Sequence, residues 1–242
     1  MINSKDNKKI KHIKKIINSR KYKYDNKEYI LEGKKFINDS NNIKEIFVDE
    51  KFNTSEIKNK EINIEKISSK IFKDIKLTEN SQGIVAIIKM NYQIIDNDKE
   101  IKNGRFVYLD QIQDPVNVGA IIRSAAAFNF DGVIFSKGTC DIYNEKSIRG
   151  SAGSIEKLKI FFLEKEEILY KTNLISSDTN GKNINNFEWP KDFILVIGNE
   201  GNGINKDILQ NSKEIIKIPI SKNIESLNAG VAAGIIMYKS NY

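Results

Sequence analysis

Three polar segments carry the side chains best suited to chemistry. The first runs Asp110-Gln-Ile-Gln-Asp-Pro-Val-Asn-Val-Gly-Ala-Ile-Ile-Arg-Ser-Ala125, where Pro115 stiffens the chain, Gly119 permits close approach, and Asn117 and Arg123 stand six residues apart across a helix start, so that both can face a site. Taken singly, Asn117 also reads as a helix N-cap and Arg123 as half of a surface ion pair. The second is Ile197-Gly-Asn-Glu-Gly-Asn-Gly-Ile204. Its glycines at 198, 201 and 203 do not follow the dinucleotide order G-x-G-x-x-G, and no G-K-[ST] follows, so neither a Rossmann fingerprint nor a phosphate-cradling P-loop is indicated. The third runs from Pro219 to Asn228, between a β-branched strand (Ile215, Ile216, Ile218) and an apolar helix over Leu227–Tyr238 rich in Ala and Gly, with Ser226 as an N-cap candidate. Small residues there admit either a ligand or a tightly packed neighbour. The chemistry is that of binding and orienting polar groups: the single histidine, His12, lies far away in a basic segment, and metal-ligating residues do not cluster.

The elements around these segments alternate. Strands are expected at Tyr29–Leu31, Ile43–Val48, Ile62–Ile67 and Gly83–Ile88, with short helices from Gly33 and over Ser68–Lys76, which makes a modest α/β unit. Residues Asn91–Gly104 are polar and turn-rich and read as the linker. Beyond Arg105, strands at Phe106–Asp110, Val133–Phe135, Leu158–Phe162, Leu174–Ser177 and Phe193–Ile197 alternate with helices near 118–128, 144–149, 165–171 and 204–210. That order predicts a mostly parallel sheet covered on both faces, with ligands gathering beyond the carboxyl ends of its strands.

Charge is unevenly spread. Residues 1–95 carry 21 Lys/Arg against 13 Asp/Glu, and residues 96–242 carry 18 against 19. Nine of the basic residues fall within residues 1–24, beside one acid, Asp6. Two readings stay open for this arm: a surface for a polyphosphate partner, with Lys21, Lys23, Tyr22 and Tyr24 at hand, or a solvated lysine-rich helix. No apolar run reaches membrane-spanning length, no apolar core follows the basic N-terminus, and the lone Cys140 forms no internal disulfide, so a cytoplasmic protein without a membrane partner is expected.

In combination the three segments resemble the SpoU (TrmH-like) family of S-adenosylmethionine-dependent RNA 2'-O-ribose methyltransferases, of the SPOUT superfamily. The resemblance rests on Asp-Pro-x-Asn-x-Gly-Ala-x-x-Arg-Ser-Ala, Gly-Asn-Glu-x-x-Gly, and Ile-Pro-Ile followed by Ser-Leu-Asn, which together cover the C-terminal half. Leu31-Glu32-Gly33 and Gly83-Ile84-Val85 resemble that family's ribosomal-protein-like substrate-binding domain. The implied fold is α/β: a basic arm at 1–24, an RNA substrate-binding domain at 25–95, a linker at 96–104, and a trefoil-knotted methyltransferase domain with a parallel sheet at 105–242.

The resemblance also implies S-adenosyl-L-methionine as cofactor, no metal, a homodimer, and RNA as partner, ribosomal sooner than transfer RNA. It assigns Arg123, Asn117 and Glu200 to catalysis, with Arg123 able to act across subunits. Gly198, Ile218 and Leu227 would hold the cofactor through their main chain, with Asn199, Ser226 and Asn228 shaping the pocket. Arg149 and Ser151 would touch substrate RNA. Gly230 stands where relatives often carry a hydroxyl. A retired, non-catalytic RNA-binding protein is the competing expectation, disfavoured by the intact set of polar residues.

Overall fold

The structure is a computed structural model that describes residues 1–59 and 61–241; Lys60, in the charged segment between two strands, and Tyr242, the last residue of the expected catalytic domain, lie outside them. The chain divides into two compact units, Met1–Asn91 and Tyr92–Tyr242.

In the first unit the elements run α1 (Lys8–Asn18), α2 (Arg20–Asn26), β1 (Glu28–Glu32), α3 (Lys34–Asp39), β2 (Ile43–Asp49), β3 (Ile64–Ile67), α4 (Ser69–Phe72) and β4 (Ile84–Lys89). The sheet order is β1-β4-β2-β3, antiparallel except for the β2/β3 pair. Residues 1–24 are not an appended arm, which corrects the sequence expectation. Ile10, Ile13 and Ile16 of α1 are fully buried against Phe47, Ile67 and Val85, and Ile2 forms a parallel bridge with Ile67. The helical spacing of these isoleucines gives one apolar stripe, and that stripe is core. Replacing Ile13 by Ala is therefore expected to lower stability by about 2–5 kcal/mol, read by urea unfolding.

Much of the expected free charge is spent internally. Lys5 and Lys14 both reach Asp74 at 2.8 Å, Lys11 pairs with Asp6, and Lys9 bridges Glu45 and Glu65. The ammonium of Lys14, seconded by that of Lys5, pulls the Asp74 carboxyl down to about 2. Lys15 and Arg20 lie over the rings of Tyr22 and Tyr24, so these aromatics have cationic neighbours from their own chain. Lys23, expected to meet substrate, is 6% exposed and sits within the fold.

In the second unit the elements are β5 (Gln93–Ile95), β6 (Arg105–Leu109), α5 (Pro115–Ala127), β7 (Gly132–Phe135), α6 (Glu145–Ser151), β8 (Lys159–Leu163), β9 (Leu174–Asn183), β10 (Phe193–Ile197), α7 (Lys206–Asn211), β11 (Glu214–Lys217) and α8 (Ala229–Lys239). Seven strands in the order β11-β9-β10-β6-β7-β8-β5 make an entirely parallel sheet. Strands β6, β7 and β10 are continuous apolar runs because helices cover both faces of such a sheet.

Two differences from the sequence reading stand out. Gln93–Ile95, inside the segment read as a linker, pairs with Phe161–Leu163 at the sheet edge, so residues 92–95 belong with the second unit; three residues among polar neighbours are too few for a periodic signal. Strand β9, read as ending at Ser177, runs on to Asn183 through polar residues, and after a register shift Lys182 and Asn183 pair with Ile216 and Lys217. The crossing is backbone on backbone at Gly181, where a Cβ would stand 2.5 Å from the carbonyl carbon of Ile216. The helix pair α5/α6 uses the same device, since a Cβ on Gly119 would meet the Ser147 carbonyl oxygen at 2.7 Å.

Candidate active site

From β6 the chain moves outward through β7 and β8, then returns to lay β10 on the other side of β6. The crevice beyond the carboxyl ends of β6 and β10 is thus the point where strand order reverses, the usual place for a ligand in an open parallel sheet. All three polar segments emerge at carboxyl ends: residues 110–114 after β6, 198–204 after β10, and 218–228 after β11.

One hydrogen-bond relay ties them together. The Asn228 amide nitrogen donates to Asn117 Oδ1 at 2.8 Å, and Asn117 Nδ2 donates to Glu200 Oε1 at 2.8 Å. Glu200 also accepts the main-chain N–H groups of Gln113 at 3.1 Å and Asp114 at 3.3 Å. A carboxylate only accepts, so Glu200 fixes which end of the Asn117 amide faces it, and Asn117 in turn fixes Asn228. Burial raises the Glu200 carboxyl, but the bonds from Asn117 and from the backbone outweigh it and hold the group below its ordinary range. Asn117 itself is only 4% exposed on α5, whose N-cap is Asp114.

The sign of that shift gives a prediction. A carboxylate with a lowered pKa keeps its bonds throughout the ordinary carboxylate range and loses them only as pH falls through the lowered value. Turnover should hold well into mild acid and then fall along an acid limb. Glu200→Gln should cut kcat by about 10- to 100-fold and abolish that limb, as measured by the pH profile of kcat/KM.

Supporting groups lie beneath the relay. Asp110, 1% exposed, accepts the Asn205 N–H at 2.6 Å with Oδ2, while its Oδ1 is buried with no hydrogen-bond partner among the described residues; burial raises its pKa. Gln111 has φ of 55° and is held by Ser136 Oγ at its N–H and by Asn199 Nδ2 at its carbonyl. Gln113 Nε2 donates to the carbonyls of Gln111 and Gly138. Sequence reasoning passed over Asp110 and Gln113 as site-building residues. The available signal was an acid directly after the buried run Phe106–Leu109, a position that demands partners.

Several expected assignments change. Asn199 spends Oδ1 on the N–H groups of Gly201 and Asn202 and its amide nitrogen on Gln111, so its side chain builds the loop instead of facing a ligand. Ser226 is exposed, and α8 is capped by Asn228, whose Oδ1 accepts from Val231 N at 3.2 Å. Ser151 is fully buried and donates to the Ile148 carbonyl, which removes it from substrate contact; Arg149 is exposed and reaches Glu145 at 3.3 Å. Gly198 is wedged, since a Cβ there would stand 2.5 Å from the Gly203 carbonyl carbon. Ile218 and Leu227 are half-buried at the two ends of the third segment.

Arg123 does not join the relay. At 100° per residue, six positions along α5 turn it about 120° away from Asn117, and it is exposed. It shares its stripe with Val116, seven residues earlier and 54% exposed, and α8 presents Val231, Ile235 and Tyr238 to solvent at helical spacing. Among the described residues no group of three potential metal ligands converges, and no helix is long and apolar enough to cross a membrane.

Comparison with known proteins agrees with this geometry. Residues 104–238 match the model of the SpoU rRNA Methylase family, and residues 7–86 match that of an MRM3-like substrate binding domain. An uncharacterized tRNA/rRNA methyltransferase of Mycoplasma genitalium is 34% identical over 198 residues, 75% of this chain and 81% of the relative. The 23S rRNA (guanosine(2553)-2'-O)-methyltransferase RlmP of Bacillus subtilis is 27% identical across 98% of this chain and 97% of its own. An AdoMet-bound rRNA methyltransferase from Sinorhizobium meliloti superposes with a TM-score of 0.86 at 21% identity, covering 99% of this chain and 96% of that one. The SpoU methyltransferase AviRb from Streptomyces viridochromogenes, in complex with AdoMet, gives 0.83 at 20% identity, covering 97% and 98%. Fold, site geometry and family match converge: the chain belongs to the SpoU rRNA methylase family.

Proposed function

We propose that this protein transfers a methyl group from S-adenosylmethionine to a ribose 2'-hydroxyl of large-subunit ribosomal RNA, working as a cytoplasmic homodimer. The observation that carries the reading is the Asn228–Asn117–Glu200 relay, which locks three separate segments into one polar site at the sheet's reversal point. The cofactor fits the residues present. Among the described residues, the main-chain groups of Gly198, Ile218 and Leu227 take part in no loop or side-chain hydrogen bond, and Ile218 and Leu227 offer half-buried apolar surface beside them. Such edges suit an adenine and its ribose, and the knotted topology implied by the resemblance would bring them together. When bound, S-adenosylmethionine supplies an electrophilic methyl group.

The protein's own contribution is orientation and charge. Glu200 is a poor proton acceptor, because its lowered pKa and its accepted hydrogen bonds leave little basicity. Its role is to hold Asn117, which orients the ribose. Arg123 carries a planar guanidinium that donates hydrogen bonds and accepts none. It stabilises the developing alkoxide and a neighbouring phosphate, while the hydroxyl proton leaves to solvent or phosphate. Its position on an exposed apolar stripe favours delivery to the site of a second copy, docked through Val116, Val231, Ile235 and Tyr238. RNA as substrate, ribosomal sooner than transfer RNA, is supported by the near-complete coverage of a relative that modifies 23S rRNA.

The test is methyl transfer from labelled S-adenosylmethionine to total RNA of a strain lacking the protein, followed by mapping of alkali-resistant linkages. A resistant linkage in large-subunit RNA is expected. Label found on a base, or neither incorporation nor cofactor binding, overturns the reading.

A further inference from the structure

The first unit contains a cavity of about 650 Å³ that no part of the catalytic relay uses. Its walls include two aromatic rings, Phe52 and Phe72, and four lysines, Lys34, Lys51, Lys73 and Lys76. The volume lies within the range of about 300–1,000 Å³ that accepts compact organic ligands, enough for a nucleobase with its ribose and phosphate.

Phe52 is pre-positioned. Its N–H closes a turn on the Asp49 carbonyl at 2.8 Å, its ring rests on the backbone of Gly83, and it stays half-exposed toward the cavity. Phe72, by contrast, is buried and forms wall. The charges sort into spent and available. Asp49 accepts the Lys51 N–H and the Ser69 hydroxyl, both at 2.9 Å, and Glu56 pairs with Lys34. Lys76 donates to the Glu79 carbonyl oxygen, which leaves its charge uncompensated by that contact, while the Glu79 carboxylate lies on the same rim. Among the described residues, Lys51 and Lys73 form no ion pair and are exposed. Gln82 and Asn53 line the cavity too; their carboxamide oxygens accept from Lys34 N–H and from Ser55, which leaves their NH2 groups to meet a base edge.

We infer that this cavity is an RNA subsite that receives one unstacked nucleotide, its base on Phe52 and its flanking phosphates on Lys51 and Lys73. The inference rests on the reading of the substrate as RNA and gives this unit a defined contact with it. An aromatic face beside mobile cations is how single-stranded segments are held, because every base has a π-face and every linkage a charge. The N-terminal helix, which carries the densest basic sequence, is a weaker contact, since four of its neighbourhood's lysines are paired internally.

The test uses the full chain, with deproteinised large-subunit ribosomal RNA from a strain lacking the protein as probe. Lys51→Ala/Lys73→Ala and, separately, Phe52→Leu should each raise KM for RNA by about tenfold, with kcat at saturating RNA, S-adenosylmethionine affinity and thermal midpoint unchanged. The slope of log affinity against log salt should become shallower by about 1.4 for the lysine pair, at roughly 0.7 per phosphate contact, and stay constant for Phe52→Leu. If the wild type methylates and both variants keep its KM and slope, the subsite is overturned. If the wild type transfers no methyl group, the proposed activity fails on its own. Filter binding of the same RNA then judges the cavity, and unchanged affinity in both variants overturns it.

Discussion

Co-expressing Arg123→Ala and Asn117→Ala subunits should restore about one quarter of wild-type activity, although each variant alone is expected at or below about 1%. The expectation follows from α5, which buries Asn117 and turns Arg123 to the opposite exposure. If each site combines one subunit's Asn117 with the other's Arg123, every mixed dimer contains one site with both residues intact and one with neither. Random pairing makes about half of the dimers mixed, with half of their sites active. Were Arg123 to act within its own subunit, no site would be complete and the mixture would stay inactive. The measurement is RNA methylation by the co-expressed mixture and by mixed dimers purified through two different tags, the latter expected at about half of wild type, with the single variants as baseline.

Gly181→Ala should lower stability by about 3 kcal/mol, the upper end of ordinary overpacking, because the added carbon meets main chain on the facing strand. The nearest atoms are the carbonyl carbon of Ile216 at 2.5 Å, its nitrogen at 2.6 Å and the carbonyl carbon of Ile215 at 2.7 Å. A flexible side chain would yield; a paired strand cannot without unpairing Lys182 and Asn183. For a domain of this size the midpoint should fall by roughly 6–12 °C, and binding of S-adenosylmethionine should weaken with it, since Ile218 follows directly on β11. Gly201→Ala serves as control. A Cβ there meets only Asn199 Oδ1 at an ordinary 3.6 Å, so differential scanning calorimetry should show little change.

What the sequence revealed follows from how strongly each feature is over-determined. The interior strands were legible because Phe106–Leu109 and Phe193–Ile197 are unbroken apolar runs. Asn117, Glu200 and Asn228 were legible as a set through their motifs, but not their order of donation, which depends on approach distances set by long-range packing. Asn199 and Ser151 looked like site residues because polar side chains in a motif do not reveal whether they face outward or hold a turn. The N-terminal helix misled through composition: its lysines dominate the count, while three isoleucines decide where it goes. Gln93–Ile95 and the far half of β9 were hidden because their pairing is specified by distant strands and not by local pattern.

The relay closes across sequence separations of 83 and 111 residues, so its members are strangers during synthesis. Asn117 has left the ribosome well before Asn228 is made, and contacts between such distant residues form late because closing long loops is entropically slow. The three-segment site therefore closes only when its last member joins it. A chain in which Asn228 has not yet reached Asn117 lacks the closed polar site.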